Sequence, residues 1–139
     1  MIPQDDITTY IPQRAPFVMV DAVLQADAKV AKTSFEIREG HLFVVNGLFT
    51  EPGLVENMAQ TAAAGTGYRY QQKGETVPVG FIAAIKNLKI YNLPKTGDVL
   101  HTTITIVHTV MNVHVVEAAV YVDDEKMASC EMKIFEQAS

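Results

Sequence analysis

Glu56 sits where a carboxylate is expensive. Its surroundings, Leu54-Val55-Glu56-Asn57-Met58-Ala59-Gln60-Thr61-Ala62-Ala63-Ala64, are dense in helix formers and apolar side chains. A charged group held among such neighbours is costly unless it has a partner or a task. Val55, Met58 and Ala59 disfavour the ionised form and favour an acid that keeps a proton to donate. Gln60 follows one helical turn later on the same face, where its amide can orient the carboxyl group. The reading without chemistry is an ion pair with Arg14 or a contact between subunits. His41 is the other titratable residue of interest. An ordinary pKa of about 6.5 lets it hold or lose a proton near neutrality, although a lone loop histidine is by default a solvated residue. His101, His108 and His114 fall on strand-like segments without metal-ligand spacing, so no metal site is expected.

The elements that must position these residues follow from the pattern along the chain. Residues 51–72 read as one long helix, with Thr50 as N-cap, Glu51 at the positive end of the dipole and Pro52 in the first turn. Small apolar residues spread beyond one stripe, which predicts a mostly buried helix, and Gly74 marks its exit. Before it, Pro12 and Pro16 bracket a rigid turn, regular structure is expected from Phe17, and residues 17–24 and 29–37 read as two strands or a hairpin. After it, residues 79–90, 99–110, 112–122 and 126–135 read as four strands, with Pro94-Lys95-Thr96-Gly97-Asp98 and Asp123-Asp124-Glu125 as turns. An antiparallel sheet of about six strands with one apolar helix is an α+β layout, most simply closed by wrapping the sheet around the helix in the hotdog arrangement.

Composition narrows the function. The chain has 139 residues, 48% of them hydrophobic, enough for a single domain spanning residues 1–139 and too few for two ordinary ones. With 11 basic and 16 acidic residues and a net charge of -5, there is no cationic field for a phosphate backbone, and nucleic acid is excluded as a partner. Lys86, Lys89 and Lys95 form a small basic group, read as a solvated face or as a landing place for an acidic partner. Cys130 is the only cysteine, which rules out an internal disulfide framework and a Cys-x-x-Cys metal site and fits a reducing compartment. The start of the chain lacks signal-peptide order and no apolar run approaches the ~20 residues that span a bilayer. The expected setting is cytoplasmic, with no membrane association.

Several motifs carry a resemblance: Gly40-His41, Pro52-Gly53-Leu54, Glu56-Asn57-Met58-Ala59-Gln60, Gly80-Phe81-Ile82-Ala83-Ala84-Ile85 and Lys95-Thr96-Gly97-Asp98. Together they resemble the hotdog-fold 3-hydroxyacyl-carrier-protein dehydratases of type II fatty-acid synthesis and their relatives in polyene pigment pathways. The resemblance covers nearly the whole chain, beginning at the proline-flanked Arg14. It implies elimination of water from a 3-hydroxyacyl thioester, carried by acyl carrier protein or CoA, to a trans-2-enoyl thioester, with no cofactor. It further implies His41 as the base, Glu56 as the acid, the Gly53 N–H at the thioester oxygen, Gln60 beside Glu56, and a dimer in which His41 and Glu56 come from opposite subunits. A homodimer is expected, with a heterodimer of related hotdog subunits as the alternative. The histidine loop departs from the family, which has Phe-Pro after the histidine where this chain has Leu42-Phe43-Val44. Asn46 is therefore a second candidate for the place of the imidazole. Two other functions fit the same fold: a subunit that supports an active dehydratase, and an acyl-thioesterase.

Overall fold

The computed structural model describes residues 6–137. The chain opens with a 3-10 turn, Ile7–Thr9, and then forms strands β1 (Ala22–Ala26), β2 (Val30–Glu36), β3 (Val44–Val45) and β4 (Leu48–Phe49). The helix α1 (Glu51–Gln72) follows, then β5 (Val79–Ile90), β6 (Val99–Val110), β7 (Val113–Val122) and β8 (Glu125–Gln137). Six strands make one antiparallel sheet in the order β1-β2-β6-β7-β8-β5, while β3 and β4 form a separate two-stranded hairpin. The sheet curls around α1, whose Leu54, Met58 and Ala62 pack with Phe35, Phe49, Leu100, Ile104, Val116, Ala128 and Met132.

Local sequence explains the connections. In β2, buried Ala31, Thr33 and Phe35 alternate with more exposed Lys32, Ser34 and Glu36, the period of a strand with one face against the core. Asp123 and Asp124 both adopt positive φ, at 48° and 67°, between paired Val122 and Glu125. Asn46 and Gly47 do the same at 53° and 77° between Val45 and Leu48. Two-residue hairpins whose central residues both have positive φ are type I′ turns, which asparagine, aspartate and glycine tolerate best.

Two sequence expectations are corrected. Regular structure does not begin at Phe17: a 3-10 turn precedes it, and the first strand starts only at Ala22. Residues 17–20 form an irregular strap across α1, because their main chain bonds to helix side chains rather than to a neighbouring strand. Thr50 does hold the extended N-cap backbone, but its hydroxyl turns away from the helix and donates to the Phe43 carbonyl at 2.8 Å.

The strand β5 forms one edge of the sheet. Only β8 pairs with it, and Val79, Phe81, Ile82, Ile85 and Leu88 along it are exposed. An apolar edge of twelve residues is the kind of surface that proteins cover.

Close approach of the opening segment to the helix requires glycine at position 67, where a Cβ would stand 2.1 Å from the Tyr10 carbonyl oxygen. Gly67→Ala is expected to lose about 1–3 kcal/mol through overpacking, more than offsetting the gain of roughly 1 kcal/mol in helix propensity. A lower urea midpoint at unchanged m-value would show it, and a stabilised variant would contradict the packing.

Candidate active site

Glu56 is half-buried on the second turn of α1, and Gln60 is fully buried beside it. The Gln60 amide is saturated. Its Oε1 accepts the Met19 N–H at 2.7 Å, and its Nε2 donates both to the Phe17 carbonyl at 2.7 Å and to Glu56 Oε2 at 2.8 Å. Because an amide nitrogen carries two hydrogens and accepts none, Glu56 Oε2 is an acceptor. A proton on this carboxyl group therefore resides on Oε1. Arg14, the alternative partner for Glu56, donates instead to the Ile11 and Gln13 carbonyls.

Asn57 and Thr61 extend the polar stripe. Asn57 Nδ2 donates to the Met19 carbonyl at 2.7 Å, its Oδ1 accepts the Thr102 hydroxyl at 2.6 Å, and its own carbonyl accepts the Thr61 hydroxyl at 2.8 Å. Thr33 and Thr61 share a hydrogen bond at 2.8 Å. Sequence reasoning passed over these residues. The available signal was the spacing 57, 60, 61, which puts three polar side chains on one face of an otherwise apolar helix.

His41 lies half-buried among aromatic rings. Phe35 and Phe49 meet it edge to face with centroids 5.5 and 5.7 Å away, and Phe43 lies at 6.3 Å. Its Nδ1 accepts the Phe43 N–H at 3.2 Å, so the neutral ring carries its proton on Nε2. That nitrogen is enclosed and has no partner in hydrogen-bonding geometry, although the Val18 carbonyl is near enough to favour a protonated ring. Burial outweighs it and lowers the His41 pKa, with Arg38 acting in the same direction and Asp21 against it.

Phe49 joins His41 to the helix start. A Cβ on Gly53 would stand 2.6 Å from the Phe49 Cζ, so glycine is what lets this ring lie against the first turn. Gly53 precedes the first intrahelical bond, from the Leu54 N–H to the Thr50 carbonyl, and its own N–H is among the donors that a helix start leaves unpaired within the helix. Asn46 sits exposed at the tip of the β3–β4 hairpin, where turn geometry accounts for it. His101 and His108 are exposed, while His114 bonds to Glu136 and to the Thr109 hydroxyl. Among the described residues no group of histidine, cysteine and acidic side chains is arranged to hold a metal. No helix among them is long and apolar enough to cross a membrane.

From Glu56, the same side of α1 continues through Ala59, Ala63 and Thr66 into a cavity of about 390 Å³. The opening segment at Tyr10 and Ile11, Val79 and Ile82 of β5, and Ile134 of β8 supply other walls. Their apolar character suits a hydrocarbon chain.

One buried helix wrapped by an antiparallel sheet of this strand order defines a hotdog-fold protein. Solved structures agree: the dehydratase heterocomplex ApeI:P from Xenorhabdus doucetiae superposes with a TM-score of 0.87 at 15% identity, covering 97% of this chain and 93% of that one. The model of the ApeP-like family, described as ApeP dehydratase, matches residues 5–139, and the chain belongs to that family. The 3-hydroxyacyl-(acyl-carrier-protein) dehydratase FabZ of Latilactobacillus sakei is 28% identical over 139 residues, 95% of this chain and 96% of the relative. The FabZ of Bacillus subtilis is 30% identical over 114 residues, covering 77% and 78%. Dehydration of 3-hydroxyacyl carrier-protein thioesters is thus the family-level activity that these relatives carry.

Two measurements probe the site as built. Gln60→Leu would leave the Met19 N–H unpaired in the core and take the donor from the part-buried Phe17 carbonyl. At roughly 1–3 kcal/mol for a buried orphaned group, a loss of that size is expected in urea denaturation. His41 has the lowered folded pKa, so its stabilising contribution is complete above its unfolded value of about 6.5. It is lost as pH falls through the folded value, because the unfolded chain takes up the proton first. His41→Phe should therefore flatten the pH dependence of stability below about pH 6.5, and an unchanged acid slope would contradict the burial of the ring.

Proposed function

We propose that the protein eliminates water from 3-hydroxyacyl thioesters, carried on acyl carrier protein or CoA, to give trans-2-enoyl thioesters, with Glu56 as the acid and His41 as the base. The carrying observation is the Gln60 contact, which makes Glu56 Oε2 an acceptor and leaves Oε1 as the oxygen that would carry a transferable proton, on the helix face that runs on through Ala59, Ala63 and Thr66 into the cavity. In the reaction, an imidazole nitrogen of His41 takes the proton from C2 of the acyl chain. Electrons of the broken C–H bond form the C2–C3 double bond, and the C3–O bond breaks as Glu56 protonates the departing hydroxyl to water. Charge that develops on the thioester oxygen meets the Gly53 N–H at the helix start. The lone pair of neutral His41 lies on Nδ1, held only by the 3.2 Å contact from the Phe43 N–H. Substrate must displace that contact, and catalytic hydrogen bonds commonly re-form in this way on binding.

The resemblance pairs His41 of one subunit with Glu56 of the other, and the apolar edge of β5 supports such assembly. Two copies of β5 side by side would cover Val79, Phe81, Ile82, Ile85 and Leu88, and a twofold contact of this kind is self-complementary. We take the active form to be a homodimer.

Enoyl formation from a 3-hydroxyacyl carrier-protein substrate tests the assignment. His41→Ala and Glu56→Gln should each reduce turnover by roughly 10²–10⁴-fold, and undiminished activity in both would sink it. Release of free thiol would point to thioester hydrolysis instead. An inactive homodimer that gains activity on mixing with a second hotdog subunit would assign this chain a supporting role. Ile85→Glu, which places a charge on the apolar edge, should shift the dimer towards monomer in light scattering. A wild-type protein that is monomeric at micromolar concentration would contradict the assembly.

A further inference from the structure

We infer that the inner part of the cavity is a subsite for the far end of the acyl chain, in which Glu136 accepts a hydrogen bond from a hydroxyl group carried by that end. That the ligand is an acyl thioester rests on the dehydratase reading; that the cavity selects for a hydrogen-bond donor does not.

Among the described residues, three enclosed side-chain polar atoms have no hydrogen-bond partner: His41 Nε2, Gln13 Oε1 and Glu136 Oε2. The last two belong to residues that line the cavity of about 390 Å³. Buried polar atoms in folded proteins are nearly always bonded. Two acceptors without a donor on the walls of one apolar cavity are what a ligand carrying a donor would satisfy. Each oxygen is enclosed, and it meets such a ligand when its side chain turns towards the cavity that it lines.

Glu136 is the better defined of the two. It pairs with Gly80 across the β5–β8 ladder, and its side chain is only 13% exposed. Its Oε1 bonds to His114 Nε2, which leaves Oε2 over. The Arg69 cation attracts this carboxylate, but its own hydrogen bonds run to the Asp27 carbonyl and the Thr66 hydroxyl. An ionised carboxylate only accepts, so Oε2 needs a donor. With Arg69 already beside it, a neutral hydroxyl fits better than an ammonium, whose burial would demand a balancing charge of its own. Gln13, on the opening segment, adds a second acceptor on another wall. His114 and Thr66 border the same small hollow beside the cavity, which places Glu136 towards the Thr66 end. Thr66 lies ten residues beyond Glu56, roughly 15 Å along the helix at ~1.5 Å per residue, close to the extended length of a dodecanoyl chain.

The probes are two amides that mimic a dodecanoyl thioester, identical except that one chain ends in a methyl group and the other in a primary hydroxyl. Lacking both the 3-hydroxyl group and the thioester, neither can be dehydrated or hydrolysed, so binding is read apart from any reaction. In titration calorimetry on the full-length chain, the hydroxyl-ended probe is expected to bind roughly tenfold tighter or more. A site built for a hydrogen bond discriminates in this sense, whereas a purely apolar pocket favours the methyl end. Glu136→Leu is expected to reverse the preference, and Glu136→Gln, which keeps an acceptor, to retain part of it. In the wild-type protein, the NMR signals of the His114 ring are expected to shift with the hydroxyl-ended probe only, because His114 shares the Glu136 carboxylate. Equal or tighter binding of the methyl-ended probe, binding of neither, or a preference that survives in folded Glu136→Leu overturns the inference. Should that variant not fold, unmoved His114 signals do so. A hydroxyl preference in a protein that forms no enoyl product would uphold the subsite and refute only the reaction. No preference in an active dehydratase would do the reverse.

Discussion

Two hydrogens on the Gln60 amide nitrogen have two fixed destinations, the Phe17 carbonyl and Glu56 Oε2, while the amide oxygen takes the Met19 N–H. Nothing in this arrangement can rotate without leaving a buried group unpaired. A buried amide in an apolar core is tolerated only when all its bonds are made, since each orphaned group restores a desolvation penalty of roughly 1–3 kcal/mol. The constraint acts in two directions. It fixes which oxygen of Glu56 accepts, and it ties the irregular strap to the helix where a strand would otherwise have to run.

The neighbouring polar groups obey the same rule. Asn57, Thr61, Thr33 and Thr102 are all essentially inaccessible, and each has a bonded partner within the helix, the strap or the sheet. Apolar side chains such as Leu54, Met58 and Met132 supply the bulk of the burial, but a hydrocarbon contact has little directional preference. The polar stripe supplies direction. It fixes the rotation of α1 against β2 and β6, and with it the direction in which the Glu56 face of the helix points.

Much of this was legible in the sequence. The helix was found with its bounds because three start signals coincide at residues 50–52 and a glycine closes the exit. The strands after it follow from β-branched runs separated by turns. The strap was misread as a strand because Phe17-Val18-Met19-Val20 has the composition of one; what removes it from the sheet is the pair of amides 38 to 43 positions away, which local pattern does not reveal. Asn57 and Thr61 were passed over for a related reason: their spacing marks a polar stripe on the helix, but the elements it bonds to are known only once its partners are placed. Asn46 has a second, purely conformational explanation. Positive φ at both residues of the Asn-Gly pair makes it the turn of a hairpin, which by itself accounts for the residue types there.

His41 is connected to α1 by two separate routes. On one side Phe49 lies against both the imidazole and the Gly53 backbone; on the other, Phe35 meets the ring edge to face and belongs to the core cluster around Leu54 and Met58 of the helix. Within one subunit, therefore, the imidazole is packed against the same aromatic rings as the start of the helix that bears Glu56. An enzyme that pairs His41 of one subunit with Glu56 of the other then has a single adjustable relation, the register and tilt with which two subunits meet. The irregularities of β5 bear on this relation, because the pairing with β8 shifts between Ile82 and Ala84 and again between Lys86 and Lys89, with Asn87 at positive φ. Such bulges bend and twist an edge strand. In the proposed dimer they would restrict the registers in which two copies of β5 can run together, and with them the distance between His41 of one subunit and Glu56 of the other.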